Sequence, residues 1–203
     1  MNFKVRHQGS GPSVCALLGL GSNLGDRLQH LRRAVFALAT HPEITVQGGS
    51  RIYQTEFVGT GTQDPYLNAC LQISTVLNPR VLLAVLKGVE ARHGRLPDGH
   101  LKPRPIDLDI LFYGDRVVAS ADLTIPHPLI RERGFVLEPL SELAFSWKFP
   151  DSGETIGDAC AKIRRKSGGR IQPLDGLRLL PMEPGSGAAP KEDWRAALAV
   201  HCR

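Results

Sequence analysis

The most sharply spaced chemistry in this sequence lies in Pro103-Arg104-Pro105-Ile106-Asp107-Leu108-Asp109-Ile110-Leu111-Phe112-Tyr113-Gly114. From Ile106 to Tyr113 the residues are mostly β-branched, aliphatic or aromatic, with prolines closing one end and Gly114-Asp115 the other, a pattern that predicts a buried strand. Asp107 and Asp109 then project from one face of that strand, with about 7 Å between their Cα atoms, while Ile106, Leu108 and Ile110 share the other face. Two carboxylates at this spacing suit one or two hard cations. Magnesium takes a few carboxylates and completes its shell with substrate phosphates, and two ions about 4 Å apart clamp both ends of an in-line phosphoryl displacement. Arg104, just ahead of the strand, adds a planar cation able to grip a phosphate. Taken alone, an Asp-x-Asp pair is more often the wet face of a half-exposed strand. The flanks argue otherwise, because Asp is disfavoured in strands and Leu111-Phe112 predicts a strand covered on both sides, where unpaired like charges are costly. A metal removes that cost.

The chain that must position this strand has 203 residues, enough for one domain of ordinary size with some tail. Its cysteines, Cys15, Cys70, Cys160 and Cys202, lie far apart with no C-x-x-C pair, so neither a disulfide framework nor a zinc site is expected, and the setting reads as reducing and cytoplasmic. Met1 to Pro12 is polar and lacks an apolar signal core, and Val14 to Leu20 is far too short to span a bilayer, so no membrane association is expected. A formal net charge of +5 and a pI near 9.2 favour an anionic partner, nucleotide or nucleic acid, between which charge alone does not choose.

Val14 to Leu20 reads as a short strand, followed by the turn Gly21 to Asp26 and a helix from Arg27 to Thr40, whose Leu28, Leu31, Val35 and Leu38 recur at helical spacing. Gly19-x-Gly21-x-x-x-Gly25 sits between them, close to the glycine fingerprint of dinucleotide-binding folds, but Leu24 occupies the third-glycine position. The next two strands, Thr45 to Tyr53 and Tyr66 to Thr75, leave no room for a crossover helix and must pair antiparallel, which argues against a Rossmann oxidoreductase. Pro79 to His93 is a second amphipathic helix with Val81, Leu82, Val85, Leu86 and Val89 as its stripe, and the Asp107 strand follows. The order β-α-β-β-α-β predicts an α+β, ferredoxin-like sheet with two helices on one face and the other face free to carry a site. Beyond it, Val117-Val118 is expected to pair back as a small hairpin strand, Val136 to Leu143 to return to the core, and Thr155 to Lys166 to form a helix ending in a solvent-facing basic run rather than a nucleic-acid contact. The expected organisation is a flexible arm over 1–12, the main domain over 13–166, and a small C-terminal extension over 167–203 of Gly/Pro-rich linker and short terminal helix.

Taken in order, Gly21-Ser22-Asn23-Leu24-Gly25-Asp26-Arg27, Tyr53-x-Thr55 with Gly59, Tyr66-Leu67-Asn68-Ala69, Glu90 with Gly94-Arg95, Pro103-Arg104-x-Ile106-Asp107-Leu108-Asp109-Ile110, Ile125-Pro126-His127-Pro128 and Glu132-Arg133-x-Phe135-Val136-Leu137 form a series of motifs. The series resembles the 6-hydroxymethyl-7,8-dihydropterin pyrophosphokinase family. The resemblance implies a folate-pathway enzyme that moves the pyrophosphoryl group of ATP onto the hydroxymethyl group of a reduced pterin and releases AMP. It implies that Asp107 and Asp109 hold two magnesium ions and, with Arg95 and Arg104, form the catalytic set. It places Arg95, Arg104, His127 and Arg133 on the phosphates, and Glu90 with the backbone near Ile110 and Thr124 on the adenosine side. For the pterin it implies a sandwich between Tyr66 and Phe135, an amide edge from Asn68, and walls from Gly21, Thr55 and Val58. The expected partners are therefore small molecules, ATP and the pterin, with the protein a monomer or weak dimer. One departure stands out: the Trp-Gly pair usual ahead of the Pro-Arg reads Leu101-Lys102 here. The competing reading is a non-catalytic ferredoxin-like ligand-binding module, which has no reason to bring Asp107, Asp109, Arg104, His127 and Arg133 together.

Overall fold

The structure is a computed structural model that describes residues 11–56, 63–95, 102–167 and 171–180. Strand β1 (Val14–Ser22) runs into helix α1 (Arg27–Ala39), which starts where the Asp26 side chain accepts the N–H of Gln29 at 3.0 Å. Strands β2 (Ile44–Gly49), β3 (Arg51–Thr55) and β4 (Tyr66–Thr75) follow. Helix α2 (Pro79–Arg92) is capped by Asn78 on Val81 N–H at 3.0 Å, with Pro79 in the first turn where no N–H is needed. Strand β5 (Asp107–Tyr113) then completes the predicted β-α-β-β-α-β order.

The sheet order is β5-β1-β4-β3, with β2 also paired to β4 and every pairing antiparallel. The expected single strand Thr45 to Tyr53 is two strands along β4, divided at Ser50. There the Ser50 N–H donates to Cys70 O at 3.0 Å and its hydroxyl accepts the Cys70 N–H at 2.9 Å, so the polar residue bridges its own break. A second irregularity lies in β5. Leu17 pairs Phe112 while Leu18 pairs Ile110, leaving Leu111 as an extra residue. This bulge changes the phase of the strand, so Asp107, Asp109, Leu111 and Phe112 share one face and Leu108, Ile110 and Tyr113 the other.

One face of the sheet, with Ala16, Leu18, Leu20, Leu71, Ile73, Leu108 and Ile110, is sealed by Leu31, Val35 and Leu38 of α1 and Leu82, Leu86 and Val89 of α2. The expectation that helices lie on this face alone is corrected by the structure. Helix α3 (Gly134–Ala144) and helix α4 (Ile156–Lys166) cover half of the opposite face, burying Leu137, Leu140, Ile156 and Cys160 against Leu17, Cys70, Leu111 and Phe112. The cause is the apolar content of that half of the sheet, which the bulge extends and which needs cover. Arg164 ties the two helices by donating to both oxygens of buried Glu138 at 2.7 and 2.6 Å.

Val118 pairs Ile125 in a separate two-stranded ribbon, β6 (Val118–Ala119) with β7 (Thr124–Ile125), rather than folding back on β5 as expected. Downstream, in a stretch the sequence presents as linker, β8 (Pro173–Arg178) adds an edge strand to β3, and Leu179 and Leu180 bury behind it against Gly49. The arm 1–10, Val58 and Gly59, residues 96–101 and the terminal stretch 181–203 lie outside the described residues. Among the described residues no helix is long and apolar enough to cross a membrane.

Candidate active site

The half of the second face that α3 and α4 leave open is a cavity of about 180 Å³. Its floor comes from three adjacent strands, and register decides which residues reach it. Asp109 pairs Gly19, Asp107 pairs Gly21, and Gly21 in turn pairs Asn68. The first two glycines of the dinucleotide-like fingerprint therefore lie inside β1, flat beside the two aspartates. A Cβ on Gly21 would sit 3.4 Å from Asn68 Oδ1 and 4.0 Å from Asp107 Cβ, and one on Gly19 would sit 3.4 Å from Leu111. Side chains there would fill the space in front of the carboxylates.

The aspartates share a face but not an environment. Asp107 is paired on both sides: Arg95 Nη1 reaches Oδ1, and Arg104 Nη1 donates to Oδ2 at 2.9 Å. Burial pushes its pKa up, but Arg104 and then Arg95 outweigh it and hold the carboxyl below its ordinary range. Asp109 goes the other way, raised first by burial and then by the charge of Asp107, against smaller opposing pulls from His127, Lys87 and Arg133. A carboxylate pair with one member so raised is the donor set a divalent cation fits. Two carboxylates leave most of a magnesium shell to phosphate and water.

Glu90, only 2% exposed, sits at the outer edge of β5. Its Oε1 accepts the N–H of Leu108 at 2.7 Å and lies 2.8 Å from Lys87 Nζ and 2.6 Å from Arg95 Nη1, while burial raises its pKa. Arg95 thus spans Glu90 and Asp107. Because strand backbone groups alternate between edges, the N–H and C=O of Ile110 face the same outer edge as the Leu108 N–H. Thr124 is exposed on β7, which lies along β5. His127 N–H donates to Leu111 O at 3.1 Å, and the ring accepts the Leu129 N–H on Nδ1 at 3.2 Å, which leaves the neutral imidazole proton on Nε2. Burial lowers the His127 pKa and Asp109 offsets part of the shift.

The remaining wall is aromatic and amide. Tyr66, at the start of β4, and Phe135, in the first turn of α3, both line the cavity, and Arg133 lies over the Phe135 ring at 5.7 Å. Asn68 Nδ2 donates to Thr55 Oγ1 at 2.8 Å, which turns its carbonyl oxygen toward Gly21. The structure brings Gly21, Thr55, Tyr66, Asn68, Arg104, Asp107, Asp109, His127, Arg133 and Phe135 into one cavity. It places Glu90, Arg95, Ile110 and Thr124 at or near the adjoining β5 edge, while Val58 lies outside the described residues. Gly19, Leu20, Glu56, Ala69, Cys70, Leu111 and Val136 also line the cavity, and the sequence reading assigns none of them to the site. Period two from Gly21 and Asn68 reaches Gly19 and Cys70, so that signal was present. Leu111 was hidden by the bulge.

The sequence profile described as 7,8-dihydro-6-hydroxymethylpterin-pyrophosphokinase (HPPK) matches residues 17–145. A 2-amino-4-hydroxy-6-hydroxymethyldihydropteridine pyrophosphokinase of Synechocystis is 38% identical over 197 residues, covering 94% of this chain and 95% of that protein. One from Methylorubrum extorquens is 44% identical over 151 residues, 73% of this chain and 92% of that protein. A solved HPPK-DHPS protein in complex with substrates superposes with a TM-score of 0.60 at 15% identity, over 79% of this chain and 46% of that one, a likeness of fold.

Proposed function

The chain belongs to the 7,8-dihydro-6-hydroxymethylpterin-pyrophosphokinase family, and from that premise we infer how its residues divide the reaction. It is an ATP-dependent diphosphotransferase of folate biosynthesis, moving pyrophosphate from ATP to 6-hydroxymethyl-7,8-dihydropterin and giving AMP and the pterin diphosphate. The observation that carries the division of roles is the convergence of Asp107, Asp109, Arg104, His127 and Arg133, from three separate stretches of chain, on a floor kept clear by Gly19 and Gly21. We read the sheet order as the ferredoxin-like arrangement, with residues 13–166 as the catalytic unit and β8 as an added edge strand.

Asp107 and Asp109 are assigned to hold magnesium, one ion or two. Held there, magnesium would supply charge neutralisation at the triphosphate and acidify the pterin hydroxyl. In transfer, that hydroxyl oxygen bonds to the β-phosphorus, the bond from the β-phosphorus to the α,β-bridging oxygen breaks, AMP departs with that oxygen, and the hydroxyl proton passes to solvent. Positioning and charge do most of this work. Arg104 and Arg95, held beside the site by their ion pairs to Asp107, are cations already placed where they would meet phosphate oxygens. His127, through Nε2–H, and Arg133 meet the phosphates from the opposite wall. The outer edge at Ile110, beside Glu90 and Thr124, is where the adenosine end lies, its base meeting strand backbone. Tyr66 and Phe135 stack on the pterin, whose edge meets the oriented amide of Asn68. Thr55, Val58 and Gly21 close the pocket.

Incubating the protein with ATP, magnesium and the hydroxymethyl dihydropterin should yield AMP and pterin diphosphate one for one. ADP in place of AMP would move the attack to the γ-phosphorus. Absence of turnover, with both ligands bound, would favour the ligand-binding module.

A further inference from the structure

Three strands begin or end at one corner of the cavity, and one buried side chain joins them. β1 ends at Ser22, and the next residue, Asn23, is 1% exposed. Its Oδ1 accepts the N–H of Arg104 at 2.8 Å, and its own N–H donates to Arg104 O at 3.2 Å, a reciprocal pair that fixes the backbone three residues before Asp107. On the other side its Nδ2 donates to Gln63 Oε1 at 2.9 Å, three residues before Tyr66. Arg27, from the first turn of α1, adds a bond to Pro65 O at 2.6 Å. The turn after β1 therefore holds both the start of β4, where Tyr66 and Asn68 stand, and the start of β5, where Arg104 and Asp107 stand. A side chain that accepts on one side and donates on the other at this short reach is an amide, which suits Asn. Asn23 does not line the cavity, so any effect on the reaction passes through Arg104 and Gln63.

We propose that Asn23 is a positioning residue that sets the spacing between the pterin platform and the phosphate-gripping Arg104. The assignment rests on the pyrophosphokinase reading above. In-line transfer needs the reacting atoms about 3–3.5 Å apart, and a misplacement of about 1 Å costs on the order of 100-fold. The two ligands are held by different strands, so their relative placement is only as good as the joint between those strands. Asn23 is that joint.

The test uses the full chain with Asn23→Ala and, because that variant removes a buried amide, the milder Gln63→Ala. In single-turnover kinetics Asn23→Ala should lower the transfer rate roughly 30-fold and Gln63→Ala roughly fivefold, while each ligand alone binds within about threefold of wild type. A folded Asn23→Ala that turns over at the wild-type rate, or that loses affinity for both ligands alongside its melting temperature with the transfer rate kept, overturns the proposal. Amide exchange separates this from the reading it rests on. If wild type makes no AMP, the pyrophosphokinase reading fails, and the joint is judged by exchange alone. Faster exchange in Asn23→Ala at Arg104 and at Gln63, Asp64 and Tyr66 supports it, and unchanged protection overturns it.

Discussion

The two faces of this sheet are made by the same strands and do opposite work. Toward α1 and α2, Leu18, Leu20, Leu108 and Ile110 form a continuous apolar layer, in which the buried Tyr113 hydroxyl finds Leu77 O at 2.5 Å. On the other face, Gly19, Gly21, Asp107 and Asp109 leave an open, charged floor. From Leu18 to Gly21 along β1 and from Asp107 to Ile110 along β5, every residue of one kind is flanked by residues of the other. Over these stretches the apolar layer and the polar floor are interleaved residue by residue, because strand side chains alternate across the sheet.

The strongest challenge to this division is Asp107→Asn or Asp109→Asn. Either should cost at least about 1,000-fold in kcat/KM, roughly 4 kcal/mol of transition-state stabilisation. Retention of most activity at saturating magnesium would remove the metal assignment. Leu108→Ala, the residue between them, should do the reverse, lowering unfolding stability by about 3 kcal/mol in urea titrations while the folded fraction keeps its KM values. A large KM change at full folding would mean the faces are not separable. A smaller effect is expected from Tyr66→Ala, about 2 kcal/mol in pterin binding by calorimetry with ATP affinity nearly unchanged. Equal losses for both ligands would make Tyr66 a packing residue.

The finest test sets the two aspartates against each other in metal-free buffer. Asp107 has a lowered native pKa, so it contributes stability that is present above the ordinary carboxylate pKa and lost as pH falls through the lowered value. Asp109 has a raised native pKa. The native state then holds the extra proton, and stability declines as pH climbs from the ordinary carboxylate pKa through the raised one. At neutral pH, Asp107→Asn should therefore melt below wild type and Asp109→Asn above it. Shifts of the same sign would show that the pair behaves as one charge.

Much of the fold was legible in the sequence, and the exceptions share a cause. Tyr66 to Thr75 and the helices at Arg27 and Pro79 follow from local periodicity and caps. The break at Ser50, the bulge at Leu111 and the addition of β8 depend on what lies across the sheet, which local pattern does not record. The same holds for the site. The shared face of Asp107 and Asp109 follows from period two. Their opposite electrostatic environments follow first from Arg104, three residues ahead of Asp107, and then from Arg95, twelve residues upstream and brought to Asp107 by the end of α2, both of which pair with Asp107 rather than with Asp109. The glycines of β1, which pattern alone offers as a phosphate loop, are legible as floor only once their partners across the ladder are known.

The position of β8 has a practical consequence for handling the protein. Along the path β5-β1-β4-β3-β8 the strand bearing the aspartates is one margin of the sheet and β8 is the other, four strand spacings or roughly 19 Å away. A tether or dye placed on β8 itself would sit on the margin away from Asp107 and Asp109. The same label on the ribbon of β6 and β7 would stand beside β5, next to the edge proposed for the adenosine end. For immobilised assays the two attachment points are thus not equivalent, and the one on β8 lies farther from Asp107 and Asp109.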